Sequence, residues 1–98
     1  MALRIDRDQN ELKALREVTD WRGKKVLEIG CGNGRLTRRI ARLGAHIDAI
    51  DPVTENIKAA RQQLPRSFAS RVRFGVGKSS RLEFADSTFD VVLFSWSL

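Results

Sequence analysis

The sequence holds one cysteine, one histidine and no apolar run longer than four residues. The single cysteine, Cys31, has no internal partner, so no disulfide frames the fold and a reducing, cytoplasmic setting is expected. His46 and Cys31 together make no recognisable metal-ligand spacing, so no metal is expected. The longest apolar run, Val91-Val92-Leu93-Phe94, is far shorter than the ~20 residues of a membrane-spanning helix. The N-terminus, Met-Ala-Leu-Arg-Ile-Asp-Arg-Asp, brings in charge too early for a secretory signal. No Gly-Lys-Ser/Thr follows the glycine-rich stretch, which excludes a nucleotide-triphosphate P-loop.

What is present is ordinary for a globular domain. The 98 residues are 42% apolar and 31% charged, enough for one small domain and too apolar for a disordered chain. Eighteen Lys and Arg against 12 Asp and Glu give a net charge of +6. That balance permits weak binding to polyanions. No stacking motif, zinc knuckle or recognition helix accompanies it, and Arg35, Arg38, Arg39 and Arg42 read as the wet side of one helix. No specific nucleic-acid signal is therefore present.

Along the chain, residues 1–8 read as a loose start. Asp8 can cap a helix over residues 9–19, with Leu12, Leu15 and Val18 at helical spacing. Trp21 packs under the next element. Lys25-Val26-Leu27-Glu28-Ile29 reads as a strand, and Gly30-Cys31-Gly32-Asn33-Gly34 as a tight loop. A helix follows over residues 35–43, with Gly44 as its stop. His46-Ile47-Asp48-Ala49-Ile50 is the second strand, ended by Asp51-Pro52. The third helix spans residues 54–63 with Thr54 as its N-cap. Residues 71–76 and 89–94 are the third and fourth strands, the fourth apolar enough to be buried on both faces.

Strands alternating with helices predict an α/β fold, a parallel sheet with flanking helices. The fourth strand ends where the chain ends, so its outer edge is expected to be exposed and open to self-association. The expected division is an N-terminal helical segment, residues 1–24, and a half-domain, residues 25–98, belonging to a longer protein.

The chemistry concentrates in the glycine loop. Its N–H groups at a helix start favour an anionic group, and in doubly wound sheets this first turn lies where ligands bind. A dinucleotide fingerprint needs glycine at i, i+2 and i+5; here those positions are Gly30, Gly32 and Arg35, and the third glycine is Gly34. Asp51, at the end of the second strand, can accept from ribose hydroxyls.

Glu28-x-Gly30-x-Gly32-x-Gly34 followed by Asp51 resembles the class I S-adenosylmethionine-dependent methyltransferases. The stretches from Arg71 to Gly77 and from Leu82 to Val92 resemble the same family's third strand, loop and fourth strand. The resemblance implies the first half of a doubly wound, Rossmann-like sheet of about four strands, with S-adenosyl-L-methionine as cofactor. It implies that Glu28 holds the glycine loop and the methionine ammonium, and that Gly30 and Gly32 floor the methionine part, with Cys31 a small loop residue against it. Asp51 would bind ribose, with Pro52 and Val53 beside the adenine. Ser79 would meet the adenine edge, and Ser95 would wall the pocket near the methyl donor. Where the family often has Gly-Asp, this chain has Gly77-Lys78, and lysine cannot accept from the adenine amino group; Ser79, Ser80 or a main-chain group takes that role instead.

The implied function is methyl transfer to a small-molecule acceptor, chiefly by alignment. No catalytic base is identified. Two alternatives remain at this point: an NAD(P)-dependent oxidoreductase fragment, against which Arg35 speaks, and a non-catalytic fragment that binds a partner.

Overall fold

In a computed structural model, residues 2–4, 11–77 and 89–95 are described. The elements are β1 (Ala2–Arg4), α1 (Glu11–Val18), β2 (Lys25–Ile29), α2 (Arg35–Arg42), β3 (His46–Asp51), α3 (Thr54–Gln63), β4 (Val72–Val76) and β5 (Val91–Phe94), with a short 3₁₀ turn at Arg66–Phe68. All strand pairs are parallel, in the order β1-β5-β2-β3-β4. The chain runs outward from β2 to β3 to β4, then returns to pair β5 on the other side of β2. The strand order reverses between β2 and β5, and a crevice opens there at the carboxyl ends of the strands.

Because side chains alternate along a strand, the register sorts them onto two faces. Val26 lies between Val91 and Ile47, with Val72 beyond, and Glu28 lies between Leu93 and Ala49. The apolar members of this face pack with Leu15 and Trp21 and with Leu36, Ile40, Ala41 and Ile57 from the helices, forming the main core. Two consecutive right-handed crossovers in one direction put α2 and α3 on the same side. On the opposite face Leu27 and Ile29 are buried, packed by half-buried Ile50, Phe89, Val92 and Phe94. The fourth sequence-predicted strand is thus buried on one face and half-buried on the other, because the described helices cover the first.

The outer edge of that strand is not open. Ala2, Leu3 and Arg4 pair with Val92, Leu93 and Phe94, so β5 has neighbours on both sides. This corrects the expectation of an exposed outer edge on the fourth strand and, at residues 2–4, that of a loose start; the rest of residues 1–8 lies outside the described residues. A three-residue strand has no periodicity of its own; only the unpaired N–H and C=O groups of β5 give it a place.

Other differences are small. Thr54 opens α3 instead of capping it; Val53 holds the cap position, and no side chain caps it. Trp21 is buried, as expected, and its indole Nε1 donates to the Leu15 carbonyl at 2.7 Å, tying the end of α1 to the core. Asp90 Oδ2 accepts from the Lys25 N–H at 2.8 Å and so anchors the start of β2.

Gly44 stops α2 in the left-handed region, at φ +98. A Cβ there would lie 2.9 Å from Arg22 Cγ and 3.1 Å from Arg22 Cα, where the backbone cannot yield cheaply. Gly44→Ala is expected to lower stability by at least ~1 kcal/mol, read from the urea midpoint at unchanged slope.

Candidate functional site

The site is built where β2 turns directly into α2. The sheet ladder continues past the strand: Gly30 N–H and Cys31 N–H both donate to the Ile50 carbonyl, at 2.8 and 3.1 Å. On the other side Ser95 N–H donates to the Ile29 carbonyl at 3.0 Å. The loop is therefore held from both neighbouring strands. It then reverses through Gly30, Gly32 and Gly34, with φ +78, +56 and +86, values that residues with a Cβ rarely adopt. Gly34 is also the close-packing glycine, since a Cβ there would sit 3.2 Å from the Phe74 ring and 3.3 Å from Ala60. Arg35, at the dinucleotide position, borders the adjoining cleft.

Two carboxylates organise the loop from below and from the side. Glu28 is fully buried. Thr37 Oγ1 donates to its Oε1 at 2.5 Å and Ser95 Oγ donates to its Oε2 at 2.6 Å. One carboxylate thus joins β2, α2 and the end of β5. Asp51 is 6% exposed. Its Oδ2 accepts from the Gly32 N–H at 2.9 Å, and its Oδ1 accepts from the Val53 N–H at 2.9 Å and from Asn56 Nδ2 at 3.2 Å. Asp51 therefore clasps the glycine loop to the start of α3. An ionised carboxylate offers about four acceptor positions, so about one remains for a ligand.

Gly30, Cys31, Gly32, Leu36, Asn56 and Ser95 border a cleft of about 210 Å³, with Asn33 and Arg35 at its rim. Sites that engulf a small ligand usually run from ~300 Å³ upward. Of the residues singled out from the sequence, Gly30, Cys31, Gly32 and Ser95 line the cleft. Glu28 and Asp51 hold its walls, and exposed Pro52 follows Asp51 at the start of the next turn. Ser79 lies outside the described residues. Thr37 and Asn56 were not singled out. Each contacts a predicted acid, but sequence spacing alone does not show a hydroxyl nine residues on or an amide five residues on turning back to it.

Burial, with the nearby Glu28 and Asp51 carboxylates adding to it, pushes the Cys31 thiol well above the usual range. The thiolate needed for nucleophilic chemistry is suppressed, so Cys31 is a wall residue. At pH 8, iodoacetamide should label Cys31 in the folded chain far more slowly than in the urea-unfolded chain, as followed by mass spectrometry. Equal rates would contradict the burial.

A larger groove of about 480 Å³ lies at the amino ends of the strands, beside Lys25, His46, Asp48, Arg71 and Arg73. Its main charges are structural. Arg73 pairs with Asp48 at 2.9 Å, and Arg71 Nη1 donates to the Ala41 and Ala45 carbonyls. On α2, Arg39 and Arg42 are exposed, while half-buried Arg38 donates to the Asn33 carbonyl at 2.9 Å. Among the described residues no group of three His, Cys, Asp or Glu could hold a metal, and no helix is long and apolar enough to cross a membrane.

Comparison with known proteins agrees with this geometry. A family model described as a methyltransferase domain matches residues 26–98. The chain is 42% identical over 78 residues to a ubiquinone biosynthesis O-methyltransferase, mitochondrial, from Homo sapiens, covering 74% of this chain and 21% of that protein. A TehB-like SAM-dependent methyltransferase from Corynebacterium glutamicum is 25% identical, with a TM-score of 0.67 over 86% of this chain and 42% of that one. The fold also matches magnesium protoporphyrin IX methyltransferase from Synechocystis, solved with bound SAH, at a TM-score of 0.71 and 22% identity over 86% of this chain and 37% of that one.

Proposed function

The chain belongs to the class I S-adenosylmethionine-dependent methyltransferases, and we propose that it forms the cofactor-binding part of an enzyme that transfers the methyl group to a small-molecule acceptor. The observation that carries this reading is the Asp51 clasp on Gly32, which shapes a glycine loop beside an acid at the sheet's switch point. Of the segment before residue 25, α1 and Trp21 pack on the main core, and Ala2–Arg4 joins the sheet.

The residues fit the cofactor. Gly30 and Gly32 let its methionine part approach the backbone, with Cys31 beside it. Glu28 sits under that end. Asp51 takes a ribose hydroxyl on its remaining acceptor position, with Pro52 next to the adenine. When bound, the cofactor supplies a methyl group already activated on a sulfonium. The chain's part is to hold the donor rigidly so that an acceptor can be aligned with it. The name of the human relative supports oxygen as the acceptor atom. Buried, reduced Cys31 fits a reducing compartment, the cytoplasm being one.

The NAD(P) alternative is disfavoured by the third glycine. Close packing falls at Gly34 and not at the dinucleotide position, where Arg35 borders the cleft. Amide NMR tests the assignment. S-adenosylhomocysteine should shift the Gly30, Gly32, Asn33 and Ser95 amides, and NAD should not. Shifts confined to the amino ends of the strands would overturn it.

A further inference from the structure

Thr37 stands out as a polar side chain where packing asks for an apolar one. It is fully buried on α2, on the face that also carries Leu36, Ile40 and Ala41. A helical threonine usually bonds the carbonyl three or four residues back. Here the Asn33 carbonyl takes the Arg38 guanidinium, and the Thr37 hydroxyl leaves its own helix for Glu28 Oε1 at 2.5 Å. Valine would fill the same volume without a hydroxyl to satisfy. The hydroxyl is therefore tied to Glu28.

Ser95 holds the other oxygen of the same carboxylate. Its Oγ lies 2.6 Å from Glu28 Oε2 and 3.3 Å from the Gly30 carbonyl, so the proton goes to Glu28. Ser95 lines the cleft, and Thr37 does not. With its one proton committed inward, the Ser95 hydroxyl has only lone pairs to offer the cleft. It is set to accept from a donor there, such as an ammonium group.

We infer that Thr37 is a positioning residue for the amino-acid end of the cofactor: it fixes the plane of Glu28, and Glu28 in turn fixes Ser95 as an acceptor. This rests on the reading of the cleft as an S-adenosylmethionine site. Thr37 touches no ligand, so its effect is confined to ligands that carry the amino-acid group.

The test is calorimetry on the full chain with two ligands, S-adenosylhomocysteine and 5′-methylthioadenosine, the second lacking the amino acid. Thr37→Val should weaken S-adenosylhomocysteine about tenfold, because Glu28 no longer holds the Ser95 hydroxyl in one orientation, and leave methylthioadenosine within about twofold. Thr37→Ser should restore the wild-type pattern. Equal weakening of both ligands, or of neither, overturns the inference. Ser95→Ala approaches the same carboxylate from the cleft side and should show the same selectivity, which keeps the test open if Thr37→Val does not fold; its absence there also overturns the inference. A wild-type chain that binds neither ligand removes the cofactor reading itself. Wild-type binding with unselective variants removes only the role of Thr37.

Discussion

Replacing Asp51 with alanine is expected to lower cofactor affinity at least about tenfold and stability by ~1–3 kcal/mol. The two effects have separate causes. The affinity loss comes from the acceptor offered to ribose. The stability loss comes from the Gly32 N–H, the Val53 N–H and Asn56 Nδ2, which all donate to this carboxylate. Asp51→Asn should rescue only part of either effect, since an amide nitrogen turned toward one set of donors meets N–H with N–H. Dissociation constants for S-adenosylhomocysteine and urea midpoints separate the two. An unchanged dissociation constant with reduced stability would leave Asp51 as a turn residue only.

Trp21→Ala is expected to cost ~3–5 kcal/mol, a large share of the ~5–15 kcal/mol that holds a domain together. Trp21 is among the largest fully buried side chains and donates to the Leu15 carbonyl, so it anchors α1 to the core beneath β2. Trp21→Phe restores part of the volume but not the indole donor, and should fall between. Chemical denaturation followed by circular dichroism measures both. A loss below ~1 kcal/mol for Trp21→Ala would mean that α1 is not docked as described.

The parts of the fold that were legible in the sequence are those with local causes. The glycine loop, the strand before it, the helix stop at Gly44 and the acid at Asp51 each show themselves within a few residues. The β2-α2-β3-α3-β4 order follows from the alternation of periods. What was hidden depends on partners far along the chain. Ala2–Arg4 becomes a strand only because β5 lies beside it, some 90 residues on. At the site, the sequence marks the two acids by their positions, but not the hydrogen bonds they make inside the fold. Glu28 is identified by its place before the glycines. That it holds Thr37 and Ser95 together needs α2 and β5 folded over it. Thr54 was read as a cap from residue type, while no side chain fills that role at the start of α3 and Asp51 instead holds the Val53 and Asn56 donors there.

Equilibrium dialysis of labelled S-adenosylmethionine against the chain, with unlabelled S-adenosylhomocysteine or NAD as competitor, tests the cofactor assignment most directly. Retention of label that S-adenosylhomocysteine displaces, that NAD does not, and that Asp51→Ala weakens at least about tenfold is the predicted result. Retention displaced by NAD alone, or retention indifferent to Asp51, would contradict it.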